Sequence, residues 1–273
     1  MCENIVLKER YKILDVINTN HFIVNYKAID MKTNNYLIIK ELTNNFNNIL
    51  VRNQAIKQFM IEAKIIFKSI HPNLPGYEDY FDYDYKRYLV MKYIEGKTFE
   101  TIVNETTDFI DERHVVTWGI EICNALSYLH TIEPNPIIFR NLRPDNIILS
   151  KNGTLKLIDF GISKFFQPEG QTLDVAKIIN PNFSPIEQYS GKTDARTDIY
   201  SLGAVLYFMA TLTRPADSID IHMGTRHLSP CSLFNQNLTQ EFDEVILRAM
   251  RMCKENRYQT AEDFKWDLNK LLQ

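Results

Sequence analysis

The feature that most constrains this chain is a change of period near Gly96. Before it, apolar residues fall mostly in short runs rich in β-branched and aromatic types, at 11–17, 22–30 and 35–42, broken by Asn-rich turns such as Asn34 and Asn35. Two more such runs lie around 77–83 and 88–93. One helix interrupts them: Ile56, Phe59, Met60, Ala63, Ile66, Phe67 and Ile70 recur at helical spacing, with charges opposite and Pro72 closing it. After Gly96 the period becomes helical. Val115, Trp118, Ile122, Leu126 and Leu129 form one stripe on a long helix that stops before Pro134 and Pro136. A small hairpin at 146–149 and 155–158 turns on Lys151, Asn152 and Gly153. From Asp198 the pattern is helical to the end, where Thr260 and Asp263 resemble a capping box with Asp in place of Glu. Strands gathered first and helices second predict an α+β chain, with a small β-rich lobe at 1–93, a larger helical lobe at 94–273 and a joint near 92–96.

Composition narrows the function classes. Hydrophobic residues make up 45% of the chain and charged ones 24%, enough apolar material for two packed lobes. A net charge of −3 argues against nucleic acid or an anionic membrane as the main partner. Cys2, Cys123, Cys231 and Cys253 show no paired metal-ligand spacing and read as reduced thiols, which suits a cytoplasmic protein. The first residues, with Glu3 and no apolar run, do not read as a signal peptide. The most apolar stretch, 199–212, is shorter than the ~20 residues that span a bilayer and is expected to be a buried helix, so no membrane segment is predicted.

Several short motifs then stand in order. Leu-Ile-Ile-Lys at 37–40 is followed by Glu62 on the helix and by Ile-His-Pro-Asn at 70–73. The run at 88–96 comes next, then Phe-Arg-Asn-Leu-Arg-Pro-Asp-Asn at 139–146 and Asp-Phe-Gly at 159–161. Pro-Ile-Glu at 185–187, Thr-Asp-Ile-Tyr-Ser-Leu-Gly at 197–203 and Arg257 complete the series. This ordered set resembles the eukaryotic-type protein kinase family, in wording nearest its bacterial Ser/Thr members, over about residues 8–273. The resemblance implies a bilobal protein-kinase-like fold. It also implies that Lys40 and Glu62 pair to orient ATP phosphates, and that Met91 and Tyr93 lie in the hinge beside the adenine. Asn146 and Asp159 would ligate Mg²⁺ or Mn²⁺, and Glu187 would pair with Arg257.

The departures from the family pattern fall on the chemistry. The family's glycine-rich loop becomes Asn-Thr-Asn-His-Phe-Ile at 18–23, with no glycine to let the backbone approach phosphate. Asn18 and Asn20 suit a hairpin turn; Ile23 is β-branched and cannot imitate glycine. Ile38 stands where the family's alanine leaves room for the purine, and side chains two apart on a strand share a face, so it points with Lys40. Asn25 replaces the valine of the adenine roof. Asn141 occupies the position of the catalytic aspartate, and an amide cannot take a proton from a hydroxyl. Arg143 replaces the neighbouring lysine, Asn180 the bracing threonine, and Ile186 the proline of the peptide platform. Arg140 is retained, and Thr172 is the threonine of the activation segment it could meet if phosphorylated.

These departures predict a pseudokinase, a signalling or scaffolding module that binds another protein and binds ATP with Mg²⁺ or Mn²⁺ weakly or not at all, with no other cofactor. The retained Lys40, Glu62, Asn146 and Asp159 leave two other readings open. One is a weakly active or atypical Ser/Thr kinase; the other is a different nucleotide chemistry such as AMP transfer.

Overall fold

The computed structural model describes residues 5–19, 22–46, 48–161, 164–165 and 179–273, and groups the chain into two compact units. The first comprises residues up to 70 together with 74–95; the second comprises 71–73 and 96–273.

In the first unit, strands β1 (Val6–Leu7), β2 (Tyr11–Thr19), β3 (Ile23–Asp30), β4 (Tyr36–Leu42), β5 (Tyr77–Tyr83) and β6 (Lys86–Lys92) form an antiparallel sheet in the order β1-β2-β3-β4-β6-β5. One sheet face packs a core of Leu7, Tyr11, Ile13, Ala28, Leu37, Ile39, Phe81, Tyr88 and Val90. Alternation along the strands leaves Asn25, Lys27, Ile38 and Lys40 on the other face. Helix α1 (Ile49–Lys68) starts at Asn48, whose side chain accepts from the Leu50 amide. It buries Phe59, Glu62, Ala63, Ile65 and Ile66. The apolar stripe read from the sequence is corrected here. Met60 and Phe67 are 53% and 62% exposed, Ile70 lies beyond the helix end, and Ile65 takes the buried place.

A two-point ion pair ties the sheet's first turn. Arg10 donates from Nε and Nη2 to the two Asp30 oxygens at 3.1 and 2.7 Å, and holds this buried carboxyl well below the usual carboxylate range, against the opposing effect of burial. A depressed carboxyl stabilises the fold above its unfolded pKa, about 4, and loses that contribution as pH falls through the folded value. Asp30→Asn is therefore expected to destabilise the protein at pH 7. The gap from wild type should narrow below about pH 4 in urea titrations; a gap independent of pH would show that Asp30 carries no linked proton.

In the second unit, β7 (Gly96–Thr98), α2 (Phe99–Glu105), α3 (Glu112–Thr131), β8 (Ile137–Ile138), β9 (Ile147–Ser150), β10 (Leu155–Leu157) and β11 (Lys164–Phe165) precede five helices. These are α4 (Ile186–Ser190), α5 (Ala195–Thr211), α6 (Ser218–His222), α7 (Gln240–Ala249) and α8 (Ala261–Lys270). The predicted hairpin is β9–β10, and Gly153 turns it with φ +82°, a left-handed value that favours glycine. Helix α5 is the predicted buried helix, with every residue from Thr197 to Thr211 buried. Helix α3 packs on it closely because Gly119 carries no side chain: a Cβ there would lie 2.8 Å from Leu206 Cδ1. The Thr260–Asp263 capping box forms in both directions. Asn73 Nδ2 donates to Glu121 Oε2 and to the Leu155 carbonyl, which accounts for residues 71–73 belonging to this unit. No helix among the described residues is long and apolar enough to cross a membrane.

Candidate functional site

The predicted site residues divide between the two units, and each set assembles within its own unit. In the first, Lys40 sits on β4 and Glu62 on α1, 22 residues apart. Lys40 Nζ donates to Glu62 Oε1 and Oε2 at 2.6 and 2.8 Å, with both side chains buried. A buried ammonium and carboxylate held in two-point contact satisfy each other, which burial demands.

Strand register sets the neighbours of Lys40. Asn25 lies directly opposite it on β3, Ile38 opposes Met91 on β6, and Lys27 opposes Ile38. The family resemblance assigns this face to the purine, and here it carries an amide, an ammonium and an isoleucine. Asn25 Nδ2 donates to Asn18 Oδ1 at 2.7 Å, joining β2 to β3. Asn20 lies outside the described residues. Lys27 Nζ sits 4.9 Å from the Tyr36 ring centroid and 4.6 Å from that of Tyr93. The sequence reading passed over Lys27, although its place two residues after Asn25 puts it on the same face.

The second unit organises its own predicted residues around Asp198. This carboxylate is wholly buried in α5 and accepts from the Phe139 and Arg140 amides at 2.8 and 2.7 Å, with His130 Nε2 2.8 Å from its Oδ2. Three partners satisfy a charge that would otherwise be costly to bury. They fix the loop at 139–146, where Arg140 adopts φ +64° and its carbonyl accepts from Gln188 Nε2 at 3.0 Å. Burial lowers the Arg140 guanidinium from its ordinary pKa, and the Asp198 charge opposes that shift. Arg140 Nε has no partner among the described residues. Thr172, its expected counterpart, lies outside them. Phe139 packs edge-on against Phe160, ring centroids 4.9 Å apart.

Asn141 and Asn146 are both buried in this loop. Asn146 Nδ2 donates to the Asn141 carbonyl at 2.9 Å, which commits the amide nitrogen and leaves the amide oxygen to meet a cation. Asn141 Nδ2 donates to both the carbonyl and Oδ2 of Asp159, at 2.9 and 3.0 Å. An amide oxygen and a carboxylate are hard donors that fit Mg²⁺ or Mn²⁺, with phosphate oxygens and water as the remaining ligands. Arg143 Nη2 pairs with Asp145. Asn180 makes its hydrogen bonds through its main chain, accepting from the Phe183 and Ser184 amides and donating to Ser184 Oγ, so no side-chain brace to the loop is present among the described residues. Glu187 and Arg257 meet in a buried two-point pair, at 2.6 and 3.1 Å.

Compared with known proteins, residues 11–266 match the protein kinase domain family. The chain is similar to a probable serine/threonine-protein kinase of Clostridium perfringens, 31% identical over 97% of this chain and 39% of that protein. It is also similar to the serine/threonine-protein kinase PknB of Mycolicibacterium smegmatis, 36% identical over 66% of this chain and 30% of that protein. It thus spans well under half the length of these relatives. Among solved structures it resembles the apo form of PpkA-294, with a TM-score of 0.78 at 20% identity, covering 97% of this chain and 96% of that one. It likewise resembles the Mycobacterium tuberculosis PknI kinase domain, with a TM-score of 0.74 at 18% identity and 99% coverage of both. At these identities the structures establish the fold.

Proposed function

The chain belongs to the protein kinase family, and from that premise we propose that it is a pseudokinase, a signalling or scaffolding module that binds another protein and binds ATP weakly or not at all. One observation carries this reading. The position of the catalytic base holds Asn141, whose amide nitrogen donates to Asp159 and whose amide oxygen can accept a hydrogen bond from a substrate hydroxyl but is too weak a base to take its proton. The altered sheet face supports it: Asn25 opposite Lys40 and Ile38 opposite Met91 leave a purine a polar and crowded surface.

The family uses ATP with Mg²⁺ or Mn²⁺, which when bound supplies the transferable phosphoryl group and the charge that neutralises it. Toward that group this chain offers Lys40 for phosphate contact, and Asn146 and Asp159 for the metal. The intact Lys40–Glu62 pair favours a second reading, a weakly active or atypical Ser/Thr kinase. The protein partner in the first reading and the hydroxyl substrate in the second are proposals of the same standing.

ATP is expected to bind with a Kd near millimolar or weaker, roughly −4 kcal/mol. A thermal-shift titration with ATP, alone and with Mg²⁺ or Mn²⁺, reads this directly, because a ligand of the folded state raises the melting point by mass action. Ile38→Ala should tighten binding by relieving the crowding. Low-micromolar affinity in the wild type would overturn the pseudokinase reading and favour the second.

A further inference from the structure

Helix α1 carries more apolar surface than the core uses. Its inward side holds Phe59, Ala63, Ile65 and Ile66. Beside them, Ile49, Ile56, Met60 and Phe67 follow one another by seven, four and seven residues, which keeps them in a single row at 3.6 residues per turn. Ile56 is half-buried, whereas Ile49, Met60 and Phe67 are 69%, 53% and 62% exposed. Phe67 is nevertheless braced, edge-on to Tyr77 with ring centroids 5.1 Å apart. The row runs about 27 Å along the helix, at 1.5 Å per residue.

Its spacing is that of a coiled-coil seam. Steps of four and three from Ile49 give Asn53, Ile56, Met60, Ala63 and Phe67, apolar at every step but the exposed Asn53. A single amide in such a seam fixes register with a facing helix, a property that a lipid surface does not reward. The charges beside the row have one sign. Arg52, Lys57, Lys64 and Lys68 are exposed on α1, and Glu62, its one acidic residue, is buried against Lys40. Two copies of α1 laid together would bring these cations onto each other, so the row does not suit a second copy of the chain. It suits a helix whose own apolar seam is flanked by acidic residues.

We propose that the outer row of α1 is a docking surface for an acidic amphipathic helix of a partner protein, paired in heptad register with Asn53 facing a polar side chain. This rests on the protein-binding part of the function proposed above and names the chemistry of the partner.

The probe is a fluorescein-labelled synthetic helix of about three heptads, with Leu in the seam, Asn at one seam position and Glu on both flanks. A second probe carries Lys in place of Glu. Fluorescence anisotropy should show the Glu peptide binding the whole chain and the Lys peptide binding at least about fivefold more weakly. Ile49→Gln/Met60→Gln should weaken the Glu peptide about tenfold or more, at an unchanged melting temperature because both positions are exposed. Lys57→Glu/Lys68→Glu should reverse the preference between the peptides, a result that loss of fold cannot mimic. No binding of the Glu peptide, equal affinity for the two peptides, or Glu-peptide binding that survives both double variants overturns the proposal. So does dimerisation of wild type in sedimentation that Ile49→Gln/Met60→Gln abolishes, which would assign the row to a second copy. Binding to phosphatidylglycerol vesicles that the same variant abolishes would assign it to a membrane and overturns it equally. The pseudokinase reading stands or falls separately on the ATP titration, so tight ATP binding beside intact peptide binding would sink that reading alone.

Discussion

Arg257→Ala is expected to destabilise the helical unit by about 3–5 kcal/mol, because breaking a buried ion pair from one side strands the remaining charge. The geometry puts this change at the upper part of that range. Arg257 is wholly buried at its side chain, and every guanidinium donor is used: Nη1 and Nη2 on the two Glu187 oxygens, and Nε, Nη1 and Nη2 on the carbonyls of Arg251, Arg196 and Met252. Removing it leaves three carbonyls without these partners, and leaves Glu187 with only the longer 3.3 Å contact from Thr197 Oγ1 among its described side-chain bonds. It also removes the cation 5.0 Å from the Tyr200 ring. Arg257→Lys keeps the charge but not the fork, and should recover a minor part of the loss. Both tryptophans, Trp118 and Trp266, lie in the helical unit, so urea denaturation followed by their fluorescence reports the transition concerned. An unchanged midpoint would mean that the pair contributes nothing net. The effect does not depend on catalysis, since the pair ties the 185–187 segment to the loop before α8 in an active or inactive kinase fold alike.

That pair was legible in the sequence because each residue sits in a short motif of fixed order, and the same holds for Lys40 with Glu62. The capping box at Thr260 was legible for a different reason: both of its residues lie within one turn, where local geometry decides the bond. Helix α1 shows where such reading stops. Periodicity says which residues share a face, but the burial of that face depends on what packs against it, so Met60 and Phe67 kept the period and stayed exposed. The role of Asp198 left a readable trace, a lone carboxylate early in an otherwise apolar helix, which must find buried donors. Its partners, the Phe139 and Arg140 amides, lie almost sixty residues away and left no trace of their own. The grip of Asn141 on Asp159 was hidden for the same reason. The substitution was plain, but a lost base is read from one position, while a gained hydrogen bond needs the distance between two.

Asn141→Asp restores the family's residue at the base position, and if the base were the whole lesion, phosphate transfer should rise by the ~10²–10⁴-fold that a general base supplies. The expected result is little or no gain. The new carboxylate would lose both bonds to Asp159 and face it as a like charge, so the repair disturbs a metal ligand as it supplies a base. Asn25 would still stand opposite Lys40, Ile38 would still crowd the purine face, and Asn180 would still brace no loop through its side chain. Defects that act on one transition state are not additive, and mending one member of the set recovers little. The assay is transfer of labelled phosphate from ATP to the protein itself and to a generic basic substrate, with Asp159→Ala as the control. Mg²⁺ is supplied in excess, as phosphoryl transfer in this family requires it. Robust turnover in Asn141→Asp that the control abolishes would identify a kinase with a single lesion. Clear turnover in the wild type would go further, because it would show that an amide at position 141 suffices, and that aiming the hydroxyl matters more in this chain than removing its proton.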